Sequence, residues 1–191
     1  MWGYTQTIAG LSVALLSPVL GSIADMRGNR KSWIGFFSIV FVISTLFLWY
    51  AYPGAPNGVW LIMGAMTIAT AAIAFAEVFN NAMLPTIESY ERVGSLSGLG
   101  YGLGYFGGLV ALIIFLVYFV NAEIPPLGLD AEMYEHIRFV GPFGALWYSL
   151  FILPFFFFTP DIKTIKISII DSINKGLSNF FQTLKKVREF K

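Results

Sequence analysis

Four stretches of this 191-residue chain contain no charged residue: Trp2 to Ala24, Ser32 to Ala76, Val93 to Ala122 and Phe139 to Pro160. A helix that crosses the hydrocarbon core needs about 20 mostly apolar residues, so three of these runs supply one crossing each. The second is long enough for two, and "YPGAPNG", Tyr52 to Gly58, divides it with two prolines and two glycines, a strong turn signal. Five helices are predicted, at about 3–24, 33–52, 59–84, 95–120 and 139–159. Spanning structures must satisfy their backbone polar groups internally, and the pattern is that of an all-α membrane protein.

Composition agrees. Hydrophobic residues make up 57% of the chain and charged ones 12%, against about 25% charged in soluble domains, and the mean hydropathy is +0.71. No cysteine is present, which removes disulfides and thiolate metal centres. No basic residue precedes the first apolar run, so it reads as a span and not as a signal peptide.

Basic residues orient the bundle, because they stay on the cytoplasmic side. Lys and Arg number three in 25–32, none in 53–58, one in 85–94, one in 121–138 and seven in the tail from Lys163 to Lys191. Placing the first, third and last of these segments in the cytoplasm puts eleven of the twelve inside. The N-terminus is then outside, the C-terminus is cytoplasmic, and the membrane is the plasma (inner) membrane. Residues 1–160 form the five-helix transmembrane bundle and 161–191 a basic linker. In that tail Ile162, Ile165, Ile169, Ile173, Leu177, Phe180, Leu184 and Val187 recur at three- and four-residue spacing between lysines. This is an amphipathic helix, lying on the inner membrane surface or serving as a solvated connector. Its charge is local and does not amount to a nucleic-acid surface.

The third span ends "AEVFNNAMLP" and places Glu77 among apolar residues. An ionisable group in a span is costly unless it faces protein or water. At about 100° per residue, Thr70, Glu77, Asn80 and Asn81 share one face, opposite Ile68, Phe75 and Phe79. The polar face is expected to look into the bundle. Glu77 and the asparagines there serve either as interhelical hydrogen-bonding groups or as a substrate or proton site in an aqueous cavity. Pro85 is expected to end the helix, with "ESYER" as a loop.

The fourth span opens on "SGLGYGLGYFGG". Gly102, Gly104 and Gly107 spell G-x-G-x-x-G, but "LVALIIFLVYFV" follows and no strand pattern precedes it, so the dinucleotide fingerprint lacks its context. No cofactor is expected. Leu99, Leu103, Phe106, Val110 and Ile113 make a lipid-facing stripe, and Tyr101 and Tyr105 project from the broad glycine face opposite. Their hydroxyls need partners, so this face should meet other helices or a cavity. Gly100, Gly104 and Gly108 give two small-xxx-small steps, a helix-packing pattern. The single histidine, His136, stands beside Glu132 and Glu135 and reads as an ordinary solvated side chain. No metal site is expected.

Between the first two spans, "GSIADMRGNRKSW" places Gly21, Asp25, Gly28 and Arg30. This spacing resembles the G-x-x-x-D-x-x-G-x-R signature of major facilitator superfamily transporters, departing from the basic positions at Met26 and Asn29. Together with "WGY", "VFNNAMLP" and "SGLGYGLGYFGG" it is similar to the vacuole-effluxer-like branch, the unknown major facilitator family, over Trp2 to about Phe158. The resemblance implies a twelve-helix fold of which these spans are helices two to six of the N-terminal half, the remainder being supplied by a missing C-terminal half. The chain is then expected to be a fragment, although assembly with another chain gives the same count. It also implies transport of a small solute, with amino-acid efflux as the suggested class, by alternating access. Glu77, Asn80, Asn81, Tyr101 and Tyr105 would line the solute or proton pathway. Gly21, Asp25, Gly28 and Arg30 would form a cytoplasmic gate closing against the opposite half. The alternative is a non-transporting helical subunit that scaffolds a membrane complex through its glycine face. Enzymatic chemistry is not expected.

Overall fold

A computed structural model describes residues 2–161 with Asp171, Asn174 and Ser178; the side chains of Trp2 and of residues 22–27 lie outside the described set. The rest of the predicted amphipathic tail also lies outside the described residues. Five long helices form close to the predicted positions: α1 Trp2–Arg27, α2 Arg30–Phe47, α3 Gly58–Ile87, α4 Tyr90–Phe115 and, after the single-turn α5 Glu135–Arg138, α6 Val140–Phe158. Among the described residues no strand is present. Four helical segments, Arg30–Tyr50, Gly58–Ile87, Tyr90–Val120 and Glu135–Phe158, are long and apolar enough to cross a membrane. The protein is an all-α membrane protein.

Short turns join the helices. Gly28 and Asn29 both adopt left-handed backbone, φ 66° and 54°, and reverse the chain between α1 and α2 in two residues. Gly54 and Asn57 do the same before α3, with φ 78° and 60°. The predicted loop after Pro85 is shorter than expected. Pro85 lies inside α3, which runs on to Ile87, and the Glu88 N–H closes the last turn on the Leu84 carbonyl. A proline deprives only the carbonyl four residues back of its donor, here that of Asn81, and the helix tolerates the loss. Tyr90, Glu91 and Arg92 therefore start α4 and the loop shrinks to Glu88 and Ser89. The Ser89 N–H and the Arg92 guanidinium, at 2.8 and 2.9 Å, both reach the Glu88 carboxylate. They hold it below the ordinary carboxylate range, the backbone N–H most strongly.

α3 is the centre of the packing. Ala65, Ala69, Ala72 and Ala76 are buried along it, and such small residues let α1 and α2 approach closely. Phe79 and Met83 are wholly buried and meet Ile34 of α2, with Trp33, Phe37, Ile152, Phe155 and Phe156 around them. The Trp33 and Phe79 rings stack at 5.4 Å and 4°. α6 lies against α2, where Ser38 Oγ and the Tyr148 hydroxyl are 2.8 Å apart. At Gly141 a Cβ would stand 2.3 Å from the Thr45 carbonyl oxygen. Of the glycines described, it is the one pressed hardest against a neighbouring helix.

α4 is different. It continues into a π-helical turn, Leu116–Val120, whose Asn121 N–H reaches back five residues to the Leu116 carbonyl at 2.9 Å. There Phe115 packs on Phe143 at 5.4 Å and Phe119 on Phe139 at 4.9 Å, anchoring this end to α6. The rest of α4 meets α3 along one edge and is largely uncovered.

Candidate functional site

Positions 77, 80 and 81 of α3 stand one turn apart on one helix face, and α4 runs opposite them. Between the two helices lies an open groove of about 1060 Å³. From α3 it is lined by Ile73, Glu77, Asn80, Asn81 and Leu84, and from α4 by Leu96, Ser97, Gly100, Tyr101, Gly104, Tyr105, Phe106, Gly108, Leu109 and Leu112. All five residues read as pathway candidates, Glu77, Asn80, Asn81, Tyr101 and Tyr105, come together in it. The Tyr101 hydroxyl donates to Glu77 Oε1, which ties the two helices across the groove. Tyr105 is 78% exposed and stands at the rim.

One expectation is corrected by this geometry. The polar face of α3 does not point into the packed bundle: Glu77, Asn80 and Asn81 are exposed to the groove, whereas Phe75 and Phe79, placed opposite, are buried against α2. Rings stack and fill space better than amides in a core that must exclude water, so the aromatic face wins the inner position. Among the described residues the glycines of α4 meet no neighbouring helix. A Cβ at Gly100, Gly104 or Gly108 would meet nothing within 4 Å. Their face meets a cavity, the other outcome allowed for it, and their missing side chains make the groove's width. Phe106, assigned to the lipid stripe, also reaches its edge.

Glu77 lies ten residues inside the α3 end at Ile87, about 15 Å at the helical rise. It lies within Gly58–Ile87, a segment long and apolar enough to cross a membrane.

The gate motif is resolved in part. Gly28 supplies the left-handed turn and is buried. Gly21 has open space where a Cβ would be, and the side chain of Asp25 lies outside the described residues. Arg30 is 7% exposed and donates Nη1 to the Ala82 carbonyl of α3, one residue beyond Asn81. Reading the sequence alone misses Lys31, which sits next to it. Its Nζ donates to the Phe156 and Thr159 carbonyls at 2.8 and 2.7 Å, capping the orphan carbonyls at the end of α6. Arg138 does similar work at the opposite end, with Nε 3.0 Å from the Trp49 carbonyl and its guanidinium 4.8 Å above the Trp49 ring. His136 is less solvated than expected: its Nδ1 is buried, with no hydrogen-bond partner among the described residues. Among those residues no group of three or more His, Cys, Asp or Glu is placed to hold a metal ion.

Comparison with known proteins follows the same line. The family described as "Vacuole effluxer Atg22 like" matches residues 1–94 and again residues 88–191. An uncharacterized MFS-type transporter of Bacillus subtilis (strain 168), YxiO, is 29% identical over 190 residues, which is 99% of this chain and 43% of that protein. The chain therefore spans less than half the length of that relative. No solved structure matches it.

Proposed function

The chain belongs to the vacuole effluxer Atg22-like family, and on that premise we infer that it forms part of a secondary transporter moving a small solute by alternating access, with amino acids as the substrate class. The observation that carries this reading is the α3–α4 groove, which collects Glu77, two amides and two phenols on facing helices. Alternating access rocks one bundle against another around a site near the midplane. In this reading α1, α2, α3, α4 and α6 are helices two to six of the N-terminal half, and a second half closes the groove from the other side.

The positive-inside bias puts the end that holds Gly28, Arg30 and Lys31 in the cytoplasm and Trp2 outside, in the plasma (inner) membrane. Asp25 and Arg30 then belong to the cytoplasmic gate. Glu77 is the solute-facing or proton-linked group, with Asn80, Asn81, Tyr101 and Tyr105 along the path.

Flux measured in proteoliposomes of a full-length relative containing this segment tests the reading. Glu77→Gln should abolish or uncouple amino-acid transport while insertion stays intact; normal pH-dependent flux in that variant removes the proton role. The uncovered α4 face favours a second reading, a non-transporting subunit that scaffolds a membrane complex. It predicts stable co-purification of a partner and no solute flux in any reconstituted form.

A further inference from the structure

The groove is one-sided in charge. Glu77 is its carboxylate, and among the described residues no Lys, Arg or His lines it. Glu77 Oε1 is engaged by Tyr101, while among the described residues Oε2 has no hydrogen-bond partner. A carboxylate within a membrane-spanning segment and without a counter-charge is expensive. Tyr101 offers a neutral O–H, which offsets part of that cost and leaves the net charge in place. A proton on the carboxylate or a cation brought to Oε2 would balance that charge, and the groove around Oε2 has the shape and chemistry for the cation.

The neighbouring groups suit an ammonium ion. Such an ion has three donors and no acceptor. Glu77 Oε2, the Asn80 side-chain carbonyl and the Tyr105 hydroxyl or ring face are acceptors lining the same groove, and an aromatic face attracts a cation. Next to them the bare backbone at Gly100 and Gly104, with nothing within 4 Å of either Cβ position, leaves room for a substituted headgroup. The walls beyond are apolar, formed by Ile73, Leu96, Leu109 and Leu112. An anion would face Glu77 with no cationic residue to hold it.

We propose that this groove binds the ammonium end of an organic cation at Glu77, with the cation's apolar body lying along Leu96, Leu109 and Leu112. The assignment rests on the transporter reading for what happens to the bound solute, and on the groove alone for the sign of its charge. If the solute is zwitterionic, this chain recognises its ammonium group, and its carboxylate must be met by residues other than those of the groove.

The test uses the full 191-residue chain in lipid nanodiscs, with calorimetric binding of phenethylamine, 2-phenylethanol and 3-phenylpropionate at pH 7. These probes share an aromatic body and differ in charge. A charge-assisted hydrogen bond is the stronger class, and phenethylamine is expected to bind at least tenfold more tightly than the neutral probe, with the anion weakest. Glu77→Gln should bring the amine down to the neutral probe and leave 2-phenylethanol unchanged. Helical circular dichroism confirms that Glu77→Gln keeps the fold.

Equal affinities, an anion preference, an amine preference that survives Glu77→Gln, or no binding of any probe by the helical chain would each overturn the proposal. The two readings fail separately. Charge-selective binding with no flux in the full-length relative ends the transporter reading and keeps the cation site. Flux without charge selectivity ends the cation site alone.

Discussion

The Tyr101 hydroxyl of α4 donates to the Glu77 carboxylate of α3, across an interface where α4 is otherwise nearly bare. From Gly98 to Gly108 every residue except Gly107 is exposed. One polar bond thus holds much of the middle of a helix whose firm packing is at its far end.

Removing that hydroxyl should loosen α4 locally. Interhelical hydrogen bonds in membranes average about 0.6 kcal/mol and reach about 1.7, so Tyr101→Phe should raise amide exchange over residues 98–108 by roughly threefold to twentyfold. Exchange in α2 should stay unchanged. Hydrogen-exchange mass spectrometry in nanodiscs checks this, and an unaltered α4 would mean that the bond does not restrain it.

Two glycines should respond in opposite ways to alanine. At Gly141 the added Cβ would sit 2.3 Å from the Thr45 carbonyl, forcing α6 away from α2 at a cost of about 1–3 kcal/mol. At Gly104 it meets nothing within 4 Å, and helix propensity favours alanine by up to about 1 kcal/mol. Thermal unfolding in detergent should therefore fall for Gly141→Ala and hold or rise for Gly104→Ala. The reverse order would show that the α4 glycines are the packing positions.

Phe79→Ala should be among the most damaging single changes. It removes the ring stacked on Trp33 at 5.4 Å and leaves a void against Ile34 and Met83. Phe-to-Ala changes in cores cost about 3–5 kcal/mol. The lower end applies here, because lipid solvates apolar surface better than water and the loss is chiefly one of packing. Steric-trap or denaturant unfolding measures it; a loss below about 1 kcal/mol would contradict this placement of the core.

Lys31→Met keeps the aliphatic stem and removes the donors that reach Phe156 and Thr159. The expected cost is about 0.3–1 kcal/mol, read as faster amide exchange confined to the last turn of α6. Uniform acceleration along α6 would point to a packing role instead.

Much of this architecture is legible in the residue pattern. The charge-free runs and the Tyr52–Gly58 turn locate five helices within a few residues. The helical period puts Glu77, Asn80 and Asn81 on one face and Tyr101 with Tyr105 on another, and the structure brings those faces to one groove. What cannot be read is which face of α3 turns inward. In a bilayer both protein and lipid are apolar surroundings, so hydropathy does not distinguish Phe79, which is buried, from Leu103, which is exposed. The α4 glycines repeat conspicuously, whereas the glycine pressed hardest against a neighbouring helix is Gly141, whose only signal is Ala145 four residues on, buried with it. Lys31 reads as one of several loop cations until α6 is seen ending beside it.

The π turn at Leu116–Val120 has a consequence for how the groove is aimed. With Phe115 and Phe119 fixed on α6, the extra residue in that turn acts as the phase adjustment of the whole helix. Removing one residue there would rotate everything upstream by about 100° and carry Tyr101 off the Glu77 side while leaving its composition untouched. The direction in which α4 presents its phenols is thus set at the end of the helix remote from them.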